Sequence, residues 1–175
     1  MRREKEEIRL SSEEYDALLL RAAKYSLLGE KCTSQLRDKI QAWSPGIAEE
    51  QLSSIIEKLC TEKYIDEERY AVAFVSDKHR FNKWGPIRIA MELKSKGIDK
   101  STIDNALAEI SPNEWLETAV ALLQQQKGRI LSAKSSYELR NKLYRWLYAK
   151  GYPSATVSKA LEKLDLSDDE EEHWE

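Results

Sequence analysis

Three glycines set the pattern of this chain. Counting forward 1, 6, 10 and 13 residues from Gly46 meets Ile47, Leu52, Ile56 and Leu59. The same steps from Gly97 meet Ile98, Ile103, Leu107 and Ile110, and from Gly151 they meet Tyr152, Val157, Leu161 and Leu164. Every one of these positions is apolar, and after the first step the spacing is that of one face of an α-helix. A sequence that returns to the same pattern at such intervals is built of supersecondary units. One unit of this size has too small a core to stand alone, so neighbouring units must share apolar faces. With only 6 Gly and 4 Pro, the chain also lacks material for the many tight turns of an all-β fold.

A second correspondence lies upstream of each glycine. Leu36 and Ile40, Ile89 and Leu93, and Leu139 and Leu143 are i, i+4 pairs on a helix that precedes it. From the last of each pair to its glycine is six, four and eight residues. The third unit is thereby lengthened over the second by about one helical turn, which would contain Trp146 and Tyr148. Each unit opens with a further helix, at Tyr15 to Lys24, Tyr70 to His79 and Trp115 to Gln124.

Helix punctuation agrees with this division. Ser11, Ser111 and Ser135 each open an S-x-x-E capping box. Pro112 and Pro86 suit the first helical position, where a missing N–H costs nothing. Asp66 and Ser154 read as N-caps, and Gly97 and Gly151 as the left-handed residues that end helices. Helices are expected at 12–27, 33–43, 48–61, 67–81, 86–96, 100–109, 112–126, 136–150 and 154–164. The fold class is all-α: three tandem three-helix repeats forming an elongated, curved body. Residues 1–65 hold the first repeat, 66–110 the second and 111–166 the third, with an acidic, disordered tail at 167–175.

Net charge is −3 but unevenly placed. From Asp165 to Glu175 there are seven acidic residues and no Lys or Arg, which leaves 28 basic against 24 acidic residues in the rest. Between Gln124 and Leu164 nine Lys or Arg face only Glu138 and Glu162. Such asymmetry invites a nucleic-acid or charged-protein partner. No nucleophile elbow, zinc-protease helix, phosphate loop or dinucleotide fingerprint is written, and the chain reads as a non-enzyme without cofactor or metal. His79, among Lys78, Arg80 and Phe81, is expected to be exposed and solvated. Cys32 and Cys60 read as buried reduced thiols. With no membrane-length apolar run and no leader-like start, the protein is expected to be cytoplasmic. No heptad seam calls for a dimer, so a monomer is expected.

One stretch carries a family resemblance. Asp66-Glu67-Glu68-Arg69-Tyr70-Ala71-Val72-Ala73-Phe74-Val75 is followed by Gly85-Pro86-Ile87-Arg88-Ile89 and then Glu92-Leu93-Lys94-Ser95-Lys96-Gly97-Ile98-Asp99. This resembles the central repeat of the RecX regulatory family, a helix of the form E-R-Y-A-x-x-F-V followed by G-P-x-R-I-x-x-E-L-x-x-K-G-I. With Lys63-Tyr64-Ile65 ahead of it, the resemblance extends over roughly residues 15 to 164. It implies a regulator of the RecA recombinase that lies in the groove of the RecA–single-stranded DNA filament. Such a regulator restrains ATP hydrolysis, strand exchange and coprotease activity in DNA repair and recombination. It also implies DNA, single- or double-stranded, as a further partner. The acidic tail departs from the basic character this role calls for.

Within the motif, Tyr70, Phe74, Ile89 and Leu93 are core positions by their helical spacing, and Gly85-Pro86 is a helix start. Arg88 sits between Ile87 and Ile89, so its guanidinium leaves the buried face. It can grip a phosphate or carboxylate bidentately or pair with an acid of its own chain. Lys78, Arg80 and Lys83 cluster with Phe81 and Trp84; Arg140, Lys142 and Arg145 cluster with Tyr137, Tyr144, Trp146 and Tyr148. Cations interleaved with aromatics suit phosphate contact plus base stacking, although core aromatics beside a solvated basic face give the same pattern. The candidate contact residues for a partner or DNA are Lys78, Arg80, Lys83, Arg88, Lys94, Arg140, Lys142, Tyr144 and Arg145. A second reading makes the protein a helical single-stranded-DNA binder that competes with the recombinase. The tail could also shield the basic face as an internal mimic of DNA.

Overall fold

The computed structural model describes residues 7–130 and 135–164. Among these the fold is all-α, in tandem groups of three. The first group is α1 (Ser12–Ser26), α2 (Thr33–Trp43) and α3 (Glu49–Thr61). The second is α4 (Glu67–Arg80), α5 (Pro86–Ser95) and α6 (Lys100–Ala108), and the third is α7 (Pro112–Lys127), α8 (Ser136–Ala149) and α9 (Ser154–Glu162). The tail, the extreme amino terminus and residues 131–134 lie outside the described residues.

The helices begin where side chains can take up orphan amides. At Ser11 the capping box is reciprocal: its hydroxyl accepts from the Glu14 N–H, and the Ser11 N–H donates to the Glu14 carboxylate at 2.8 Å. The Ser111 and Ser135 hydroxyls accept from the Glu114 and Glu138 N–H groups. Asp66 accepts from the Arg69 N–H at the start of α4. Ser154 is not a cap: Pro153 holds that position without a side-chain bond, and Ser154 is already helical. Asp99, which the sequence reading passed over, caps α6 by accepting from both the N–H and hydroxyl groups of Ser101 and Thr102. Those bonds hold its carboxyl far below the usual range.

The three repeat-marking glycines all adopt left-handed backbone, with φ of +84°, +84° and +91° at Gly46, Gly97 and Gly151. Of the twelve residues counted from them, all but Leu107 are buried. One register differs from the sequence reading. In α8 the fully buried pair is Leu143 and Leu147, while Leu139 is only half-buried. Leu147 therefore stands four residues before Gly151, as Leu93 does before Gly97. The extra turn of α8, which has 14 residues against 10 in α5, lies at its amino-terminal end and not around Trp146 and Tyr148.

The chain divides into two compact units whose boundary passes through the middle helices. The first runs to Phe74 and takes in Leu93–Ile103. Its core is formed by α1, α2 and α3 around Leu18, Ala22, Leu36, Ile40, Leu52, Ile55, Ile56 and Leu59, with Ile65 beneath them. An extended strap precedes α1. The Ile8 N–H donates to the Gly46 carbonyl at 2.7 Å, and the Ala48 N–H donates back to Ile8 at 2.9 Å, a lone parallel bridge. Gln51 bonds both the N–H and the carbonyl of Leu10, and Arg9 pairs with Glu50.

The second unit comprises Val75–Glu92 and the chain from Asp104 onward. Here α7, α8 and α9 pack on one another around Trp115, Ala119, Leu123, Leu143, Leu147, Tyr152, Val157 and Leu161. The start of α5 docks on the turn between α8 and α9. The Gly85 N–H donates to the Lys150 carbonyl at 2.8 Å and the Ile87 N–H to the Gly151 carbonyl at 3.0 Å. Pro86 between them has no N–H to satisfy. The positive amino-terminal end of one helix thus meets the negative carboxy-terminal end of another, a favourable alignment of helix dipoles. The approach demands two glycines: a Cβ on Gly85 would stand 2.3 Å from the Gly151 carbonyl group, and one on Gly151 2.4 Å from the Arg88 Cβ.

Candidate functional site

The end of α4 and the loop to α5 gather most of the predicted cations of the second repeat. Lys83 adopts left-handed backbone, φ +55°, a costly conformation for a side chain with a Cβ. It turns the chain so that the Trp84 N–H donates to the Lys78 carbonyl at 3.1 Å. The indole then lies against two cations: the Arg88 guanidinium is 4.1 Å from the ring centroid and the Lys78 ammonium 5.0 Å. Arg80 and Lys83 are exposed beside them, and the Arg80 guanidinium is 5.8 Å from the largely exposed ring of Phe81.

Arg88 resolves the choice posed by the sequence in an unforeseen way. Among the described residues it makes no ion pair; it stacks on Trp84. A guanidinium laid on an aromatic face is held in orientation while its edge N–H groups stay available for a phosphate or carboxylate. Lys94, at the far end of α5, is exposed but belongs to the first unit. Of the motif's expected core positions, Tyr70, Ile89 and Leu93 are buried, whereas Phe74 is only half-buried.

His79 contradicts its expected exposure. It is 5% exposed, set edge-on against Trp115 at 4.6 Å, and shares a 3.0 Å hydrogen bond between Nε2 and the Thr118 hydroxyl. Burial lowers its pKa; the Glu114 carboxylate, 3.8 Å from Nδ1, opposes this and Lys83 adds to it. The reason was present in the spacing: Ala71, Val75 and His79 are i, i+4 and i+8 on α4, and the first two are buried.

Helix α8 contributes the other half of the candidate set. Tyr144 and Tyr148 stack with centroids 6.1 Å apart, and Arg140 lies one turn before Tyr144 on the same stripe. Arg140 and Arg145 are exposed. Lys142 is half-buried and paired with Glu138 at 2.7 Å, which places it among the intrachain contacts.

The two halves meet at an open groove of about 430 Å³ between α5 and α8, lined by Ile87, Arg88, Met91, Glu92, Tyr148, Ala149 and Gly151. Ile87, Met91 and Tyr148 expose 43%, 67% and 54% of their surface, so the groove floor is apolar and wet. Around α8 Arg145 falls between Tyr148 and Ala149, on the groove side. The structure therefore brings Arg88 and Tyr148 to one groove, with Tyr144 stacked on Tyr148, and leaves Lys142 paired. Met91 had gone unremarked in the sequence, and Ile87 had been noted only as a neighbour of Arg88; both lie out of phase with the buried pair Ile89 and Leu93.

Among the described residues no group of His, Cys, Asp and Glu is placed to hold a metal ion, and no helix is long and apolar enough to cross a membrane. Both cysteines are free thiols, Cys32 buried and Cys60 half-buried with its pKa raised by that burial.

Comparison with known proteins matches two family models. Residues 66–107 match the second three-helix domain of RecX and residues 113–161 the third. The chain is 34% identical over 124 residues to the regulatory protein RecX of Halalkalibacterium halodurans, covering 71% of this chain and 46% of that one. It is 28% identical over 164 residues to that of Bacillus mycoides, covering 93% and 60%. The chain spans about half the length of the curated relatives it matches. Among solved structures, RecX from Lactobacillus salivarius superposes with a TM-score of 0.80 at 25% identity, covering 89% of this chain and 99% of that one. A second crystal structure, of a regulatory protein RecX, gives 0.74 at 23% identity, covering 87% and 80%.

Proposed function

Because this chain belongs to the RecX family, we propose that it binds the RecA–single-stranded DNA filament and restrains its ATP hydrolysis, strand exchange and coprotease activity. The observation that carries the reading to particular atoms is the Arg88 guanidinium stacked 4.1 Å from Trp84 without an acidic partner among the described residues. A preoriented, unneutralised guanidinium beside exposed apolar surface suits a groove lined by both phosphate and protein. Lys78, Arg80 and Lys83 from the end of α4 and the loop after it, and Arg140 and Arg145 from α8, supply further charge, and Tyr144 supplies an aromatic face. Lys94, in the first unit, is an exposed cation and a separate candidate. Lys142, held by Glu138, contributes less.

A second reading, competition with the recombinase for single strands, draws on the exposed Tyr148 and Phe81 rings, on which bases could stack. The test is RecA's DNA-dependent ATPase with this protein titrated in at fixed excess single-stranded DNA. Inhibition at amounts far below the DNA's binding capacity, lost in Arg88→Glu, supports action on the filament. Inhibition only when the protein suffices to coat the DNA supports competition. No effect at any ratio refutes both.

A further inference from the structure

The first repeat carries a cluster of cations and aromatic rings that belongs to none of the candidate contacts. Helices α1 and α2, both in the first unit, each place a cation one turn before a ring: Arg21 before Tyr25 and Lys39 before Trp43. The two pairs are crossed. The Arg21 guanidinium lies 4.3 Å from the centroid of Trp43, and the Lys39 ammonium lies 5.7 Å from Tyr25 and 5.9 Å from Trp43. Lys31, from the loop between the helices, adds a third cation 5.4 Å from Tyr25. The rings themselves meet edge-on, with centroids 5.7 Å apart. All five residues fall outside the two stretches that match the family models.

Three cations gathered around two rings repel one another, and the ring faces offset only part of that repulsion. No carboxylate completes the balance. Among the described residues Arg21, Lys31 and Lys39 make no ion pair. Glu30 is taken by Arg69 at 2.8 Å, and Lys31 donates to the backbone carbonyls of Gly29 and Glu30. Asp38, beside Lys39 on α2, pairs with neither cation. Arg21 and Lys39 are exposed over half-buried rings, so their charges are held in place and open to solvent. Next to them α1 ends in bare apolar surface. The Leu28 N–H donates to the Tyr25 carbonyl at 3.2 Å, and Leu27 and Leu28 expose 72% and 80% of their surface. A duplex would bring phosphates to such a face but keep its bases stacked inside. A single strand brings phosphates together with bases free to lie on apolar side chains.

We propose that the α1–α2 face of the first repeat is a binding site for single-stranded nucleic acid. Its phosphates sit on Arg21, Lys31 and Lys39, and a base lies against Leu27 and Leu28. Each unit of the chain then carries a cation–aromatic surface of its own, this one and the one at Arg88 and Trp84. The inference needs no contact with a recombinase, so it stands or falls apart from the filament reading.

The test uses the full chain and a labelled oligo(dT), without RecA. At low salt Arg21→Glu and Lys39→Glu should each weaken binding severalfold, whereas Lys58→Glu, an equal charge change at an exposed cation of α3, should not. The plot of log affinity against log salt should become shallower by at least ~0.7 in each of the first two variants, one single-strand phosphate contact apiece. Circular dichroism checks that every variant keeps its helices. Ultraviolet crosslinking of the unmodified chain, mapped by mass spectrometry, should place thymine adducts between Arg21 and Trp43. Equal effects of all three reversals, or adducts confined to the second and third repeats, would overturn the proposal. Duplex of the same length should lose less affinity than oligo(dT) in Arg21→Glu, and an equal loss would overturn the single-strand assignment. Poly-glutamate at equal charge should compete weakly; competition as strong as that of unlabelled oligo(dT) would assign the face to an acidic protein segment instead.

Discussion

Three glycine-to-alanine substitutions separate backbone strain from close packing. Gly97 has φ +84° and nothing within 4 Å of an added Cβ. Gly97→Ala therefore carries only the left-handed strain of ~1–2 kcal/mol, offset by up to ~1 kcal/mol from the lost freedom of the unfolded chain. A net loss of ~1 kcal/mol is expected. Gly151 has nearly the same φ, +91°, but its Cβ would stand 2.6 Å from the Arg88 nitrogen as well as 2.4 Å from the Arg88 Cβ. Those atoms are helix backbone and Cβ, with no flexible end to swing aside. Forcing them apart adds ~1–3 kcal/mol. Losing the bonds from Gly85 and Ile87 to the 150 and 151 carbonyls adds ~1 kcal/mol each. Gly151→Ala should cost ~4–6 kcal/mol. Gly85→Ala, without positive φ but with Cβ contacts of 2.3 Å to the same turn, isolates the packing part at ~2–4 kcal/mol. Urea titration of each variant, followed by circular dichroism, reads these values from midpoint and slope. Equal losses in Gly97→Ala and Gly151→Ala would refute the argument that the α5 contact, and not φ alone, requires glycine at 151.

Other consequences are as direct. Burial lowers the pKa of His79, so the unfolded chain binds a proton that the folded chain resists. Its neutral form is accommodated in full above its ordinary 6.5, and stability falls as pH drops below that value. His79→Gln should flatten this part of the stability–pH curve, read by thermal melts from pH 7.5 to 5; an unchanged slope would refute it. The Tyr152 hydroxyl is buried and has no hydrogen-bond partner among the described residues, which also raises its pKa. Tyr152→Phe should leave stability unchanged or raise it by up to ~1 kcal/mol, and a loss above ~1 kcal/mol would point to an unrecognised partner. Trp84→Ala removes the surface on which Arg88 rests. It should weaken filament inhibition about as much as Arg88→Ala, and the double variant should lose little more; additive losses would mean that the two side chains act separately.

Local signals made most of the helix plan legible. Caps and glycines are short-range chemistry, and Ser11, Asp66, Ser111 and Ser135 start helices where they stand. The register of α8 was not legible in the same way. Leu139, Leu143 and Leu147 form a ladder at i, i+4 and i+8, and any adjacent pair satisfies the helical face. The four-residue distance from Leu147 to Gly151, matched by Leu93 and Gly97, was the signal that could have chosen between them. The cations of the α4–α5 loop could be named because they are neighbours in sequence. The junction of α5 with α8 could not, since it depends on which surfaces the repeats turn toward each other. Pairing of Lys142 with Glu138 was readable at i, i+4 and was overlooked. The strap at Ile8 joins residues 39 apart through backbone alone, and no side-chain pattern announces such a bridge.

The joint at Gly85 and Gly151 bears on how such a protein can change over generations. It is fastened by peptide groups and by the absence of two side chains, and so places almost no demand on the identity of its neighbours. Lys83, Trp84, Ile87, Arg88 and Tyr148 can be exchanged while the two helix ends stay clasped. Drift can therefore retune what this surface recognises one residue at a time, with the scaffold beneath it unaltered, provided that two positions remain glycine.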